Sequence, residues 1–243
     1  MTTELLTRPD SHRDITTSTT CRILIIDDHP IFRHGIKELL GKLPDVDICG
    51  EADNARNALQ AMRELHPDIA LVDVSMPGVN GLELIKLMLA EQKNLKVIVL
   101  SMYDESLYAL RALRAGAKGY LAKQQAVDHL VNAIRKVVGD GVYVSPQLGE
   151  RLIFKMIQGS EGDVVAPVDK LSDRELEVFQ HIGSGKSTRD IAESLSLSVK
   201  TIETHRAHIK EKLGFASASE MINFAIEWKE SSEGVAPPRP VAA

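Results

Sequence analysis

Ile69-Ala70-Leu71-Val72-Asp73 is a run of four apolar residues that ends in a carboxylate, and the turn-forming Met76-Pro77-Gly78 stretch and Gly81 follow it. A short, continuous apolar run between helical patterns reads as a strand buried on both faces of a parallel sheet. In such sheets chemistry sits just beyond the carboxyl ends of the strands. Asp73 stands at that point. A carboxylate opening a turn is also ordinary turn chemistry, so its meaning depends on what the other strand ends carry.

Working outward, the same unit recurs. Arg22-Ile23-Leu24-Ile25-Ile26 is an apolar run ending in Asp27-Asp28, and Phe32, Ile36, Leu39, Leu40 and Leu43 follow at helical spacing. Val46 to Ile48, with Cys49, makes a short strand that Gly50 closes, and Ala55, Ala58, Leu59, Met62 and Leu65 mark the next amphipathic helix. Beyond Gly81, Leu84, Ile85, Met88 and Leu89 form a third helix. Val97 to Leu100 is a strand ending at Ser101, and Leu107, Leu110, Ala112 and Leu113 form a helix closed by Gly116. Gly119 to Ala122 is a fifth strand ending at Lys123. Val127, Leu130, Val131, Ile134, Val137 and Val138 give a fifth helix. Five β-α repeats imply an α/β domain, a doubly wound five-stranded parallel sheet with helices on both faces.

Asp27, Asp28, Asp73, Ser101 and Lys123 then share one edge of the sheet. Carboxylates held together repel one another unless a cation intervenes. Oxygen ligands of this kind suit Mg²⁺, and a carboxylate can take up a phosphoryl group as an acyl phosphate. That transfer needs mainly positioning and charge neutralisation, which a divalent ion, Lys123 and the Ser101 hydroxyl can supply. With these residues in view, residues 22 to 139 resemble the receiver domain of two-component response regulators. The resemblance implies that Asp73 is the phospho-acceptor, and that Asp27, Asp28, Asp73 and the backbone carbonyl of Ser75 hold Mg²⁺. It further implies that Ser101 and Lys123 contact the phosphoryl group, that Tyr120 is an aromatic switch, and that a sensor histidine kinase is the donor.

From Leu171 onward the pattern is helical throughout, so a second, all-α domain is expected there. Ser172 with Glu175 three residues on forms a capping box, and Leu176, Phe179 and Ile182 give the first stripe. Ser187 or Thr188 caps a helix carrying Ile191, Ala192 and Leu195. After a Ser-Leu-Ser turn a longer helix starts near Val199, with Ile202, Ile209 and Leu213 inward. Met221, Phe224, Ala225 and Trp228 place a last helix over that core. A short helix, a tight turn and a longer helix make a helix-turn-helix. Its outer face carries Lys200, Thr201, Thr204, His205, Arg206, His208, Lys210 and Lys212, groups able to contact phosphates and base edges in a major groove. Lys200 to Leu213 holds four Lys/Arg against two Glu, a modest net +2, so tight binding calls for a dimer. Leu171-Ser-x-Arg-Glu, Ile191-Ala192, the Val199 to Arg206 run and Lys212-Leu213-Gly214 resemble the LuxR-type helix-turn-helix of the NarL/FixJ response regulators. Ser187-Thr188-Arg189 departs from the usual sequence at that turn. The resemblance implies double-stranded DNA and a homodimer as partners. It also implies a protein that catalyses only its own phosphoryl acceptance and slow autodephosphorylation.

The expected organisation is a disordered tail over 1–20, the receiver domain over 21–140, and a linker with a short helix over 141–168. The DNA-binding domain spans 169–230 and a second tail 231–243. A net charge of −5 excludes a polybasic chain but not a local basic face. Cys21 and Cys49 have no metal spacing and fit a reducing cytoplasm. No apolar run reaches membrane-spanning length. Gly183-Ser-Gly-Lys186-Ser-Thr suggests a phosphate loop, but Gln180 occupies the position of its first glycine. His205 and His208 lack a third metal ligand. Two rival readings are a phosphoaspartate phosphatase or mutase, which would want an acid where Ser75 stands, and a receiver-type interaction module without DNA binding.

Overall fold

The computed structural model of the chain describes residues 20–102, 105–150, 153 and 167–232. The expected terminal tails, the flexible run at 159–162 and most of the helix expected over 147–158 lie outside the described residues. Of that helix, residues 147–150 and 153 are described and are helical.

Five strands form one parallel sheet in the order β2-β1-β3-β4-β5: β1 (Cys21–Ile26), β2 (Val46–Ala52), β3 (Ile69–Asp73), β4 (Lys96–Ser101) and β5 (Gly119–Ala122). The connecting helices are α1 (Pro30–Leu40), α2 (Ala55–Leu65), α3 (Gly81–Glu91) and α4 (Glu105–Arg114), with α5 (Ala126–Val138) after the last strand. Alternation along the strands divides the core in two. Ile23, Ile25, Leu71, Ile98 and Leu100 pack with Ile36 and Leu40 of α1 and with Leu130, Ile134 and Val137 of α5. Leu24, Ile26, Val72, Val97 and Val99 face α2, α3 and α4. β3 is buried along its whole length, as the opening run requires.

Two local expectations are corrected. Gly50 does not close β2, because the strand continues to Ala52, and its register against β1 slips between Ile23 and Leu24. A Cβ at Gly50 would strike the Leu65 side chain of α2, so the glycine is there for close helix–sheet approach. Val127 was expected in the inward stripe of α5. It is 71% exposed, and Ala126, Leu130, Ala133, Ile134 and Val137 form that stripe instead. The helix begins one residue earlier, after a single 3-10 turn at Lys123–Gln125, which sets its phase.

The second unit is helical: α6 (Asp173–Gly183), α7 (Thr188–Ser194), α8 (Val199–Leu213) and α9 (Ala218–Ser232). Capping boxes at Ser172/Glu175 and Ser187/Asp190 start α6 and α7, and the Ser198 side chain caps α8. Phe179 lies 6.1 Å from Phe224 and 5.5 Å from Trp228, ring centre to ring centre, tying α6 to α9. This core is continuous with the α2–α4 side of the sheet.

Candidate functional site

The parallel topology brings the polar strand ends together. Asp27 follows β1, its N–H held by Ala52 O at 3.0 Å, and Asp73 ends β3. Ser101 ends β4 fully buried, paired with Ala122 of β5. Lys123 opens the 3-10 turn after β5 and turns inward, its Nζ 2.7 Å from both Asp27 Oδ2 and Asp73 Oδ2. The Phe32 ring of α1 lies 4.6 Å from that ammonium, a contact that favours the cation. The Ser75 N–H donates to Asp73 Oδ1 at 2.8 Å, which fixes the carboxylate's plane. Tyr120 is fully buried within β5.

Asp73 is only 1% exposed. Burial pushes its carboxyl above the ordinary range and Asp27 adds to this, while Lys123 and the Ser75 N–H draw it back. Asp27 is equally buried, whereas Asp28 and His29 are more open. Asp28 is partly buried, and His29, which starts α1 ahead of Pro30, holds Nδ1 3.0 Å from Asp28 Oδ1 and 3.2 Å from Asp27 Oδ1. One ligand atom each from Asp27, Asp28, His29 and Asp73 falls within 4.8 Å of the others. Three carboxylates against one lysine leave negative charge uncompensated, and a hard, oxygen-seeking divalent cation fits that donor set. The arrangement can hold an anion at Asp73 between a cation on one side and Lys123 on the other.

A second surface lies on α8. Ser198, Lys200, Thr201, Thr204, His205 and His208 line one open cleft of about 290 Å³. Thr204 donates to Lys200 O at 3.0 Å, and Ser198 Oγ lies 2.8 Å from Thr201 Oγ1. Arg206, Lys210 and Lys212 do not line that cleft. Lys212 pairs with Glu175 of α6 at 2.6 Å, and Lys210 donates to Ala216 O at 3.4 Å. Glu175 therefore fixes the end of α8 against α6. Burial pushes its carboxyl up, but Lys212 and the Ser172 cap hold it below the usual range.

Sequence reasoning missed the residues that join the two surfaces. The turn after Asp73, 74–80, docks on α6 and on the turn of the helix-turn-helix. Gly78 N donates to Leu195 O at 3.2 Å, and Arg174 Nη2 donates to Gly78 O at 3.0 Å and Leu195 O at 3.1 Å. Asn80 Nδ2 donates to Glu177 Oε2 at 3.1 Å, and Tyr108 of α4 donates to Gln180 at 2.9 Å. Arg111 of α4 donates to Leu171 O, Val168 O and Asp173 at 2.8, 3.2 and 3.0 Å. The only hint in the sequence is an acid, Glu177, between the apolar Leu176 and Val178.

Comparison with known proteins agrees with both halves. Residues 23–135 match the response regulator receiver domain, and residues 169–225 match the bacterial regulatory proteins of the luxR family. The chain is 36% identical over 205 residues to response regulator GacA of Pseudomonas aeruginosa, covering 84% of this chain and 95% of that protein. It is 35% identical over 212 residues to the oxygen regulatory protein NreC of Staphylococcus aureus, covering 86% and 98%. Among solved structures it resembles RcsB from Salmonella enterica serovar Typhimurium, bound to promoter rprA with the phosphomimetic BeF3−. The TM-score is 0.58 and the identity 28%, covering 85% of this chain and 98% of that one.

Proposed function

This chain belongs to the NarL/FixJ family of two-component response regulators, transcription regulators with a LuxR-type DNA-binding domain, and on that premise we propose that Asp73 is its switch. A sensor histidine kinase presents a phosphohistidine. An Asp73 oxygen attacks phosphorus in line, and the P–N bond breaks. Its electron pair leaves on the imidazole, which takes up a proton. Asp27, Asp28, Asp73 and the Ser75 carbonyl would hold Mg²⁺, which supplies charge neutralisation on the phosphoryl oxygens. Lys123 leaves its bridge to Asp27 and pairs with the new anion, and the Ser101 hydroxyl donates to it. The observation that carries this reading is the Lys123 bridge, a cation 2.7 Å from both the acceptor and its acidic neighbour.

Repacking around Ser101 and Tyr120 then disturbs α4, which carries Tyr108 and Arg111 to the helical domain. Release lets Lys200, Thr201, Thr204, His205, Arg206, His208, Lys210 and Lys212 face DNA. Two copies read half-sites about one helical turn apart. The chain turns over no separate substrate; it accepts one phosphoryl group and slowly loses it to water. We place it in the cytoplasm, where its kinase and DNA are both accessible. Among the described residues no helix is long and apolar enough to cross a membrane.

Incubation with acetyl phosphate and Mg²⁺ tests the acceptor. The intact chain gains the mass of one phosphoryl group, and Asp73→Asn gains none. Labelling that persists in Asp73→Asn assigns the acceptor elsewhere.

A further inference from the structure

Where the acceptor turn meets α6, one acidic side chain is enclosed. Glu177 is 1% exposed. Its Oε2 accepts from Arg174 at 2.6 Å and from Asn80 at 3.1 Å, and its Oε1 has no hydrogen-bond partner among the described residues. A carboxylate half satisfied in a buried place depends on its cation, here Arg174, and on the one amide donor, Asn80. That cation is shared, because the same guanidinium spans Gly78 O and Leu195 O.

We propose that Glu177 reads the charge at Asp73, so that added negative charge on the acceptor loosens the helical domain from the acceptor turn. This rests on Asp73 being the phosphorylated residue. The turn makes the coupling direct. Asn80 caps α3 with its Oδ1, which accepts from Leu82 N at 2.9 Å, so its amide nitrogen must face Glu177. Asp73 begins the segment that Asn80 ends. Burial, first, and the Asp73 carboxylate, last, both push the Glu177 carboxyl up, against Arg174 and Asn80. The geometric link between Asp73 and Glu177 is the turn itself, through the Asn80 amide that holds Glu177 Oε2. Phosphorylation replaces a carboxylate of charge −1 by an acyl phosphate of charge about −2. The closed interface can relieve the extra repulsion by separating, which returns Glu177 to water and frees Leu195 O beside the start of α8.

Hydrogen exchange of the Gly78 amide reports the docked state, because its N–H crosses to Leu195 O. The full chain is measured with and without beryllofluoride and Mg²⁺, alongside gel retardation on a pool of random duplexes. In the wild type, beryllofluoride is expected to raise Gly78 exchange and DNA affinity about tenfold, an ordinary size for such coupling. Glu177→Gln, which keeps an acceptor for Arg174, stays docked without beryllofluoride and shows a response about fivefold smaller. Asn80→Asp keeps the cap but sets a carboxylate against Glu177, and it undocks unmodified. Adding Glu177→Gln to Asn80→Asp restores docking. A wild-type-sized response in Glu177→Gln overturns the proposal, as does Glu177→Gln undocked from the start, which makes Glu177 a plain clamp. If beryllofluoride moves neither readout in the wild type, the Asp73 reading fails, and with it the role of Glu177 in reading that residue. The Asn80→Asp pair then still decides whether the interface senses charge.

Discussion

At the residue scale, the protein sets groups where their ionisation is costly and then partners them. Asp73 is buried against Lys123, so removing the lysine should act on the proposed acceptor and leave the fold standing. Lys123→Ala is expected to keep the Asp73 acceptor but lengthen the life of its acyl phosphate and lower the response to it at least tenfold. The checks are decay of the phosphoryl mass and gel retardation before and after labelling; an unchanged response would remove Lys123 from the switch. His181 of α6 is a different case. Burial, helped by Lys186, Arg174 and Lys229, lowers its pKa from 6.5 to about 4. The unfolded chain therefore takes up its proton first as pH falls. The stability held above about pH 6.5 is lost progressively toward pH 4 and changes no further below that. Thermal melts of the full chain from about pH 6.5 down to about pH 5 should show this slope, and His181→Gln should flatten it. An equal slope in the variant would place the titrating group elsewhere.

At the scale of elements, most of the receiver half was legible because apolar runs and helical spacing alternate without interruption. The acidic edge was legible too, since its residues stand at or just past the carboxyl end of a strand and parallel topology sends all those ends one way. Gly50 and Val127 were misread for a common reason. Local pattern shows where a strand or stripe can lie, but the approach of a neighbouring helix fixes its end and phase. Two glycines at the end of α6 separate such effects. A Cβ at Gly183 would meet the carbonyl of Ala225 in α9, whereas Gly185 has φ +73° and open space. Gly183→Ala should destabilise the helical domain by about 1–3 kcal/mol through overpacking. Gly185→Ala should cost about 1 kcal/mol through left-handed strain alone. Chemical denaturation measures both, and a harmless Gly183→Ala would mean that α6 and α9 can slide apart freely.

At the scale of the molecule, the docked arrangement is what the sequence could not show. Periodicity marks Tyr108, Arg111, Asn80, Arg174 and Glu177 as surface or cap residues of their own elements, and nothing in it says which surfaces meet. Once they do, the turn after Asp73 and α4 both grip the helical domain, through neighbouring positions on one face of α6: Arg174 and Glu177 for the turn, Asp173 and Gln180 for α4. Arg111 is the stronger hold on the α4 side, with four acceptors in the approach to α6 and at its start. Arg111→Ala should loosen docking without phosphorylation. An apparent DNA affinity about tenfold higher, the equivalent of about 1.4 kcal/mol, is expected in the unmodified full chain, and an unchanged affinity would make this contact incidental. Under the proposed switch, a change at Ser101 and a charge at Asp73 would act together on that one docked face.

The most direct measurement is DNA binding by the full chain at fixed salt, before and after phosphorylation, in wild type and Asp73→Asn. Phosphorylated wild type should bind a random duplex pool about tenfold more tightly than the unmodified chain, while Asp73→Asn stays at the unmodified level under both conditions. Equal binding by phosphorylated and unmodified wild type, or an equal gain in Asp73→Asn, would contradict a switch seated at Asp73.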